Sequence, residues 1–195
     1  CRRTSAPIFP QCTPSGSLRS KTRKDAFAPI RQGTPSRAPV GHLVIHQMHI
    51  EIATAADIAA LSDLLSVLFS QEAEFTPNPA AQQKGLARVI GEPEIGAVLL
   101  ARDAGRVVGT VNLLFTVSTA LGERVALLED MVVCPDCRGE GVGTRLLSEA
   151  LAFARARGCK RITLLTDRCN QAAQRFYAKQ GFAASGMLPM RLSLG

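Results

Sequence analysis

Histidine is scarce in this chain of 195 residues: there are three, and none follows His49. Cysteine is more plentiful, at six, but the one close pair is Cys134 and Cys137 in the run CPDC. A structural zinc site wants a second pair at similar spacing, and Cys159 and Cys169 lie ten apart. No metal is therefore expected, and the thiols read as reduced cysteines of a cytoplasmic protein. His42, His46 and His49 read as solvated. No apolar run approaches the ~18–20 residues of a membrane helix, so no membrane partner is expected. Tyrosine occurs once, as Tyr177.

Acidic residues are almost missing from one region. Residues 1–47 hold eight Lys/Arg against the single Asp25, and six of the eleven prolines. Residues 48–195 hold 15 basic and 15 acidic side chains, so the net charge of +7 belongs to the first 47 residues. Nucleic acid is accordingly expected to make only non-specific contacts with that basic stretch. Residues 1–47 read as a disordered Pro/Ser/Arg-rich tail that buries too little apolar area to offset chain entropy. No apolar stretch follows Arg2 and Arg3, as an export signal requires. Residue 1 is Cys, and Met48 stands directly before the first strand-like run. The expectation is that Met48 is the natural start, that 1–47 is upstream or extraneous sequence, and that 48–195 is one domain.

Hydrophobic residues make up 46% of the chain, enough for a real core. Residues 48–53 alternate like a strand. Thr54 and Asp57 form a capping-box-like start, and Ile58, Leu61, Leu64, Leu65 and Leu68 follow at helical spacing, which predicts a helix over 55–70. Pro77 and Pro79 end it, and a second helix is expected over 80–91. Runs 96–102, 106–118 and 124–133 are β-rich and joined by short turns, which implies an antiparallel meander. Leu146, Leu147, Ala150, Leu151 and Ala154 then form a helical stripe that stops at Gly158. A strand over 160–166, a short helix over 170–180 and strand-like stretches interrupted by Gly186 and Pro189 complete the order β-α-α-β-β-β-α-β-α-β(β). This is an α/β fold with a mixed central sheet of six to seven strands. The unit over 124–166 looks like a βαβ crossover, so its two strands should be parallel.

The segment 130–147, DMVVCPDCRGEGVGTRLL, carries the chemical signal. A β-run ends at Val133, and Arg138-Gly139-Glu140-Gly141-Val142-Gly143 leads straight into a helix. Glycines let backbone approach a ligand closely, and unpaired N–H groups at a helix start favour an anion. No Gly-Lys-[Ser/Thr] follows, so this is not a P-loop, and the spacing does not fit the dinucleotide fingerprint. At Arg138, Gly141 and Gly143 the sequence resembles the GNAT superfamily of N-acetyltransferases, whose loop reads [Arg/Gln]-x-x-Gly-x-[Gly/Ala]. The run from Asn170 through Tyr177 to Gly181-Phe182 resembles that family's second motif, and the element order matches from 48 to 195.

The resemblance implies acetyl-CoA as co-substrate, transfer of its acetyl group to a primary amine of a small molecule by direct attack in a ternary complex, and splayed strands at the CoA site. It implies that Met131, Val132 and Val133 pair with the pantetheine arm. The pyrophosphate falls to Arg138, Gly139, Glu140, Gly141, Val142, Gly143 and Thr144, and an arm contact to Asn170. Tyr177 is the implied general acid. The protonated amine must lose a proton before attack, and a carboxylate can take it, directly or through water. Glu129 is favoured and Asp130 is the alternative, on the view that strand neighbours face opposite sides. Glu72, Glu74 and Phe75 fall where the family lines its acceptor pocket. A protein or peptide N-acetyltransferase and a non-catalytic CoA-binding sensor are the competing readings. Many relatives pair through sheet edges or C-terminal strands, so a homodimer is among the expectations.

Overall fold

Alternation and tight turns organise the middle of the chain as its sequence suggests. The computed structural model describes residues 48–71 and 76–194. Strands β2 (Gly96–Asp103), β3 (Arg106–Ser118) and β4 (Glu123–Val133) form an antiparallel meander, with β1 (His49–Ile52) antiparallel on the β2 edge. The β2–β3 turn is two residues long, and both Ala104 and Gly105 take positive φ, the twist that such hairpins favour. Strand β5 (Ile162–Leu164) joins β4 in parallel, giving the order β1-β2-β3-β4-β5.

Two helices cover each face. The expected helix over 55–70 divides into a short 3₁₀ turn, Ala55–Asp57, and α1 (Ile58–Phe69). The Thr54 N–H and hydroxyl both donate to Asp57 Oδ2, at 2.8 and 2.9 Å, so aspartate does the work of the usual glutamate in the capping box. Helix α2 (Pro79–Gly91) starts where the Asn78 side chain accepts the Ala81 N–H, with Pro79 in the first turn. Leu61, Leu64, Leu65, Leu68 and Leu86 bury this pair against Val98, Leu100, Val107 and Val132 of the sheet. On the opposite face lie α3 (Val142–Ala156) and α4 (Gln171–Lys179). Here Leu146, Leu147, Ala150, Ala173 and Tyr177 pack on Val111, Leu113, Leu128, Met131 and Val133.

The sheet is smaller than expected. It has five strands among the described residues, rather than six to seven, and residues 182–194 form none. Two physical reasons stand out. Strand β5 has only three residues and offers a short ladder to any next strand. Gly186 and Pro189 cut the following stretch into short pieces, and proline has no N–H to donate. The tail over 1–47 and the pocket candidates Glu72, Glu74 and Phe75 lie outside the described residues.

Candidate functional site

The site begins at an irregularity between β3 and β4. Leu113 pairs with Leu128 and Val111 with Met131, so Glu129 and Asp130 together oppose the single residue Asn112. This is a β-bulge, two residues against one. Its effect on facing is visible in the core: Leu128 and Met131, three apart, both enter the cluster under α3 and α4. The two residues between them are thrown to the other side. Glu129 and Asp130 therefore stand next to each other, and the expectation that strand neighbours face opposite ways does not hold here. Asn112 Nδ2 donates to Asp130 Oδ2 at 3.1 Å. Burial, with the neighbouring Glu129 charge and against the Asn112 hydrogen bond, pushes the Asp130 carboxyl up to about 6.

The second part is an open strand edge. Strand β5 pairs with Ala126, Leu127 and Leu128 only, whereas β4 runs on to Val133. Beyond Leu164 the β4 edge at Glu129 to Val133 faces no strand. The parallel ladder therefore ends at Leu128, one residue short of the carboxylates. The carbonyl at the end of β4 is not free, because Arg138 Nε donates to Val133 O at 3.0 Å. Arg138 Nη2 is buried without a partner.

The third part is the loop. After the 3₁₀ turn Pro135–Cys137, Gly139 and Gly141 both adopt φ +83°, a left-handed conformation that side chains resist. Gly141 is the N-cap of α3, so it brings no side chain to cap the helix. The Arg138 N–H reaches Pro135 O at 3.4 Å, and the next hydrogen bond from a loop N–H is Arg145 N to Gly141 O at 3.0 Å. The N–H groups from Gly139 to Thr144 are left over. The segment lies at the positive end of a 15-residue helix, where an anion is favoured. Gly143 differs from Gly141, because a Cβ there would face Val133, Met131 and Phe176 at 3.6–3.7 Å. Arg145 turns away from the loop and donates to Met48 O. Outside the helix start, Ile50, Thr144, Arg145, Ser148 and Glu149 line a depression of about 300 Å³.

Helix α4 supplies the fourth part. Asn170 Oδ1 caps it by accepting the Ala173 N–H at 3.0 Å. Its Nδ2 is buried and has no partner. Two turns on, Tyr177 is 4% exposed, edge-to-face with Phe176 and Phe182 at 5.2 and 5.7 Å. Burial drives its phenol well above the ordinary range, so it is protonated at neutral pH. Tyr177 lies with the α3/α4 cluster and the carboxylates lie on the other side of β4.

Beside the loop, Arg106 Nη2 reaches Asp136 Oδ2 at 2.8 Å and the sulfurs of Cys134 and Cys137 at 3.3 Å each. Burial pushes the Cys137 thiol up and that of Cys134 to about 11, so both are neutral thiols. Among the described residues no three His, Cys, Asp or Glu side chains gather as a metal site. No helix there is long and apolar enough to cross a membrane.

Asn112 is the residue that sequence reasoning missed. Its signal is faint: one amide in the otherwise mostly apolar run VVGTVNLLF.

Comparisons with known proteins identify the family. The model of the acetyltransferase (GNAT) family matches residues 58–182. The uncharacterized N-acetyltransferase YhfO of Bacillus subtilis is 31% identical over 137 residues, covering 69% of this chain and 89% of that protein. The aminoalkylphosphonate N-acetyltransferase of Salmonella typhimurium is 28% identical, covering 68% of this chain and 83% of its own. An integron cassette protein from the mobile metagenome of Cole Harbour Salt Marsh shares the fold with a TM-score of 0.67 at 24% identity, over 75% of this chain and 90% of that one. The glycine loop, the open β4 edge and α4 are thus parts of an acyltransferase, and the chain belongs to the GNAT family of N-acetyltransferases.

Proposed function

We propose that the protein moves an acetyl group from acetyl-CoA to a primary amine of a small molecule, by direct attack with both substrates bound. The observation that carries this reading is the run of unused N–H groups from Gly139 to Thr144 beside the unpaired edge of β4. The residues present fit the co-substrate. Six amides at a helix start suit a pyrophosphate. Arg138 Nη2 and Asn170 Nδ2 are buried donors still lacking acceptors. Met131, Val132 and Val133 flank an edge where an extended pantetheine arm can add like a strand. Acetyl-CoA supplies the thioester that the amine attacks.

The remaining steps belong to side chains. A carboxylate near 6 is a better proton acceptor than an ordinary one and is still mostly ionised at pH 7. We assign the base to Asp130, with Glu129 as the neighbour that keeps it basic, exchanging the order the sequence favoured. Tyr177, held protonated by burial, lends its O–H to the departing sulfur. An aminoalkylphosphonate N-acetyltransferase among the relatives supports a small-molecule acceptor. The described cysteines are all unpaired, which suits the reducing cytoplasm. The working unit is the domain from residue 48 onward.

The test is release of free thiol from acetyl-CoA with a panel of primary amines, alongside calorimetric binding of CoA. Turnover with at least one small amine is expected. Tight CoA binding without turnover on any amine or peptide would favour a sensor, and turnover on peptides alone would move the acceptor class to protein.

A further inference from the structure

Asn112 has an unusual balance of partners. It is 7% exposed and sits inside the sheet. Its Nδ2 donates to Asp130, yet its Oδ1 is buried with no donor. An unmade hydrogen bond in the interior is costly, and an amide kept there half-satisfied calls for an explanation. The bulge sets this single amide against two carboxylates, one of which the proposed reaction protonates.

We propose that Asn112 is a positioning residue that serves both protonation states of Asp130 by turning its amide over. An ionised carboxylate only accepts hydrogen bonds, so Asn112 presents Nδ2–H to it. When the acceptor's ammonium gives up its proton, that proton moves to an Asp130 oxygen and the amine nitrogen keeps the electron pair. No bond to carbon changes in this step. Asp130 is now an acid with an O–H to donate. The amide, nearly the same shape when turned by half a rotation, presents the so far unused Oδ1. The base thus keeps a partner before and after it receives the proton.

Arg102, four residues along β2 from the Val98 that pairs with Asn112, is tied to Glu51 and Asp57. Glu129 adjoins Asp130 on β4. Helices α1 and α2, packed on that face, hold Asp63, Lys84 and Arg88 in exposed positions. Tyr177 belongs to the opposite face. The bond to the ionised form is charge-assisted and stronger than the one to the neutral form, so losing Asn112 raises the Asp130 midpoint.

This inference rests on the acetyltransferase reading, and two variants separate it from a packing role. Asn112→Leu fills the space but neither donates nor accepts. Asn112→Ser fills less space, but its hydroxyl does both by rotation. The pH dependence of kcat/KM, measured from pH 5.5 to 9 with the best amine, should show an acid limb displaced upward by at least half a pH unit in Asn112→Leu. Its plateau should be lowered about tenfold or more. Asn112→Ser should keep the limb and remain within about fivefold of the parent. The reverse ranking, or an unmoved limb in Asn112→Leu, overturns the proposal. A readout without turnover is the carboxyl carbon resonance of Asp130, assigned by its loss in Asp130→Asn. Its titration midpoint, near 6, should rise in Asn112→Leu and hold in Asn112→Ser, even if no amine tested is a substrate. An unchanged midpoint in Asn112→Leu sinks the inference and leaves the acetyltransferase reading standing.

Discussion

The loop before α3 and the bulge at Asn112 are built by opposite methods. The loop works with backbone: consecutive N–H groups freed by glycines at positive φ and by a helix with no cap. The bulge works with side chains from two strands, gathered by one extra residue in a ladder. Backbone chemistry leaves a spaced trace in sequence, because only glycine tolerates those angles. Side-chain chemistry assembled across strands leaves none. A cofactor common to a family can be held by the first kind of site, whereas the second can change its partner by one substitution.

The comparison breaks most sharply at Asp130. Asp130→Asn should lower kcat/KM about 10²–10³-fold, within the range of acid–base groups, and leave CoA affinity intact in calorimetry. Stability should move the other way. The folded midpoint lies above the unfolded one, so the folded state binds more protons between about pH 4 and 6 and loses stability as pH rises through that window. At pH 7 the ionised Asp130 is a burden, and Asp130→Asn should gain roughly 1–2 kcal/mol in denaturant unfolding. A variant losing both activity and stability would mark Asp130 as structural.

Tyr177→Phe comes next. It deletes one hydroxyl from a packed ring, so kcat should fall about 10²-fold with CoA binding and the melting temperature nearly unchanged. Full activity would leave the ring as packing between Phe176 and Phe182. On the loop, Gly141→Asp sets a negative charge and a disfavoured φ among the free amides, and CoA affinity should drop at least tenfold, about 1.4 kcal/mol. Gly143 is the poorer probe, since its side chain would meet the apolar cluster. The smallest effect separates the two jobs of Asn170. Asn170→Asp keeps an acceptor for the Ala173 N–H and loses the donor, so stability should hold while CoA affinity weakens severalfold. Asn170→Ala should lose both, with about 1 kcal/mol of stability. Equal CoA affinity in all three forms would remove the arm contact.

Most of the frame was legible. The meander followed from alternation and short turns, α3 from its stripe of Leu146, Leu147, Ala150 and Ala154, and the parallel β4–β5 pair from the crossover. The reading failed where tertiary context decides. A period-two pattern assigns Glu129 and Asp130 to opposite faces, and nothing local announces the inserted residue that brings them together. Arg145 carries a positive charge right after the loop, but the Met48 carbonyl, 97 positions away in sequence, holds it. Strand propensity after Gly181 was real, yet a three-residue β5 gives it little to pair with.

That unpaired stretch has a chemical consequence. Met187 and Met190 are 85% and 92% exposed, whereas Met48 and Met131 are 6% and 0% exposed. An oxidant therefore meets two of the four methionines first, three residues apart in the chain. Sulfoxide there would turn a greasy ribbon of Met187, Leu188, Met190, Leu192 and Leu194 into a more polar one, without touching the core. The same ribbon is where concentrated protein would first stick to itself, with Pro189 and Arg191 as its gatekeepers. Ageing of a stored sample should thus be written in its last dozen residues long before it reaches the chemistry.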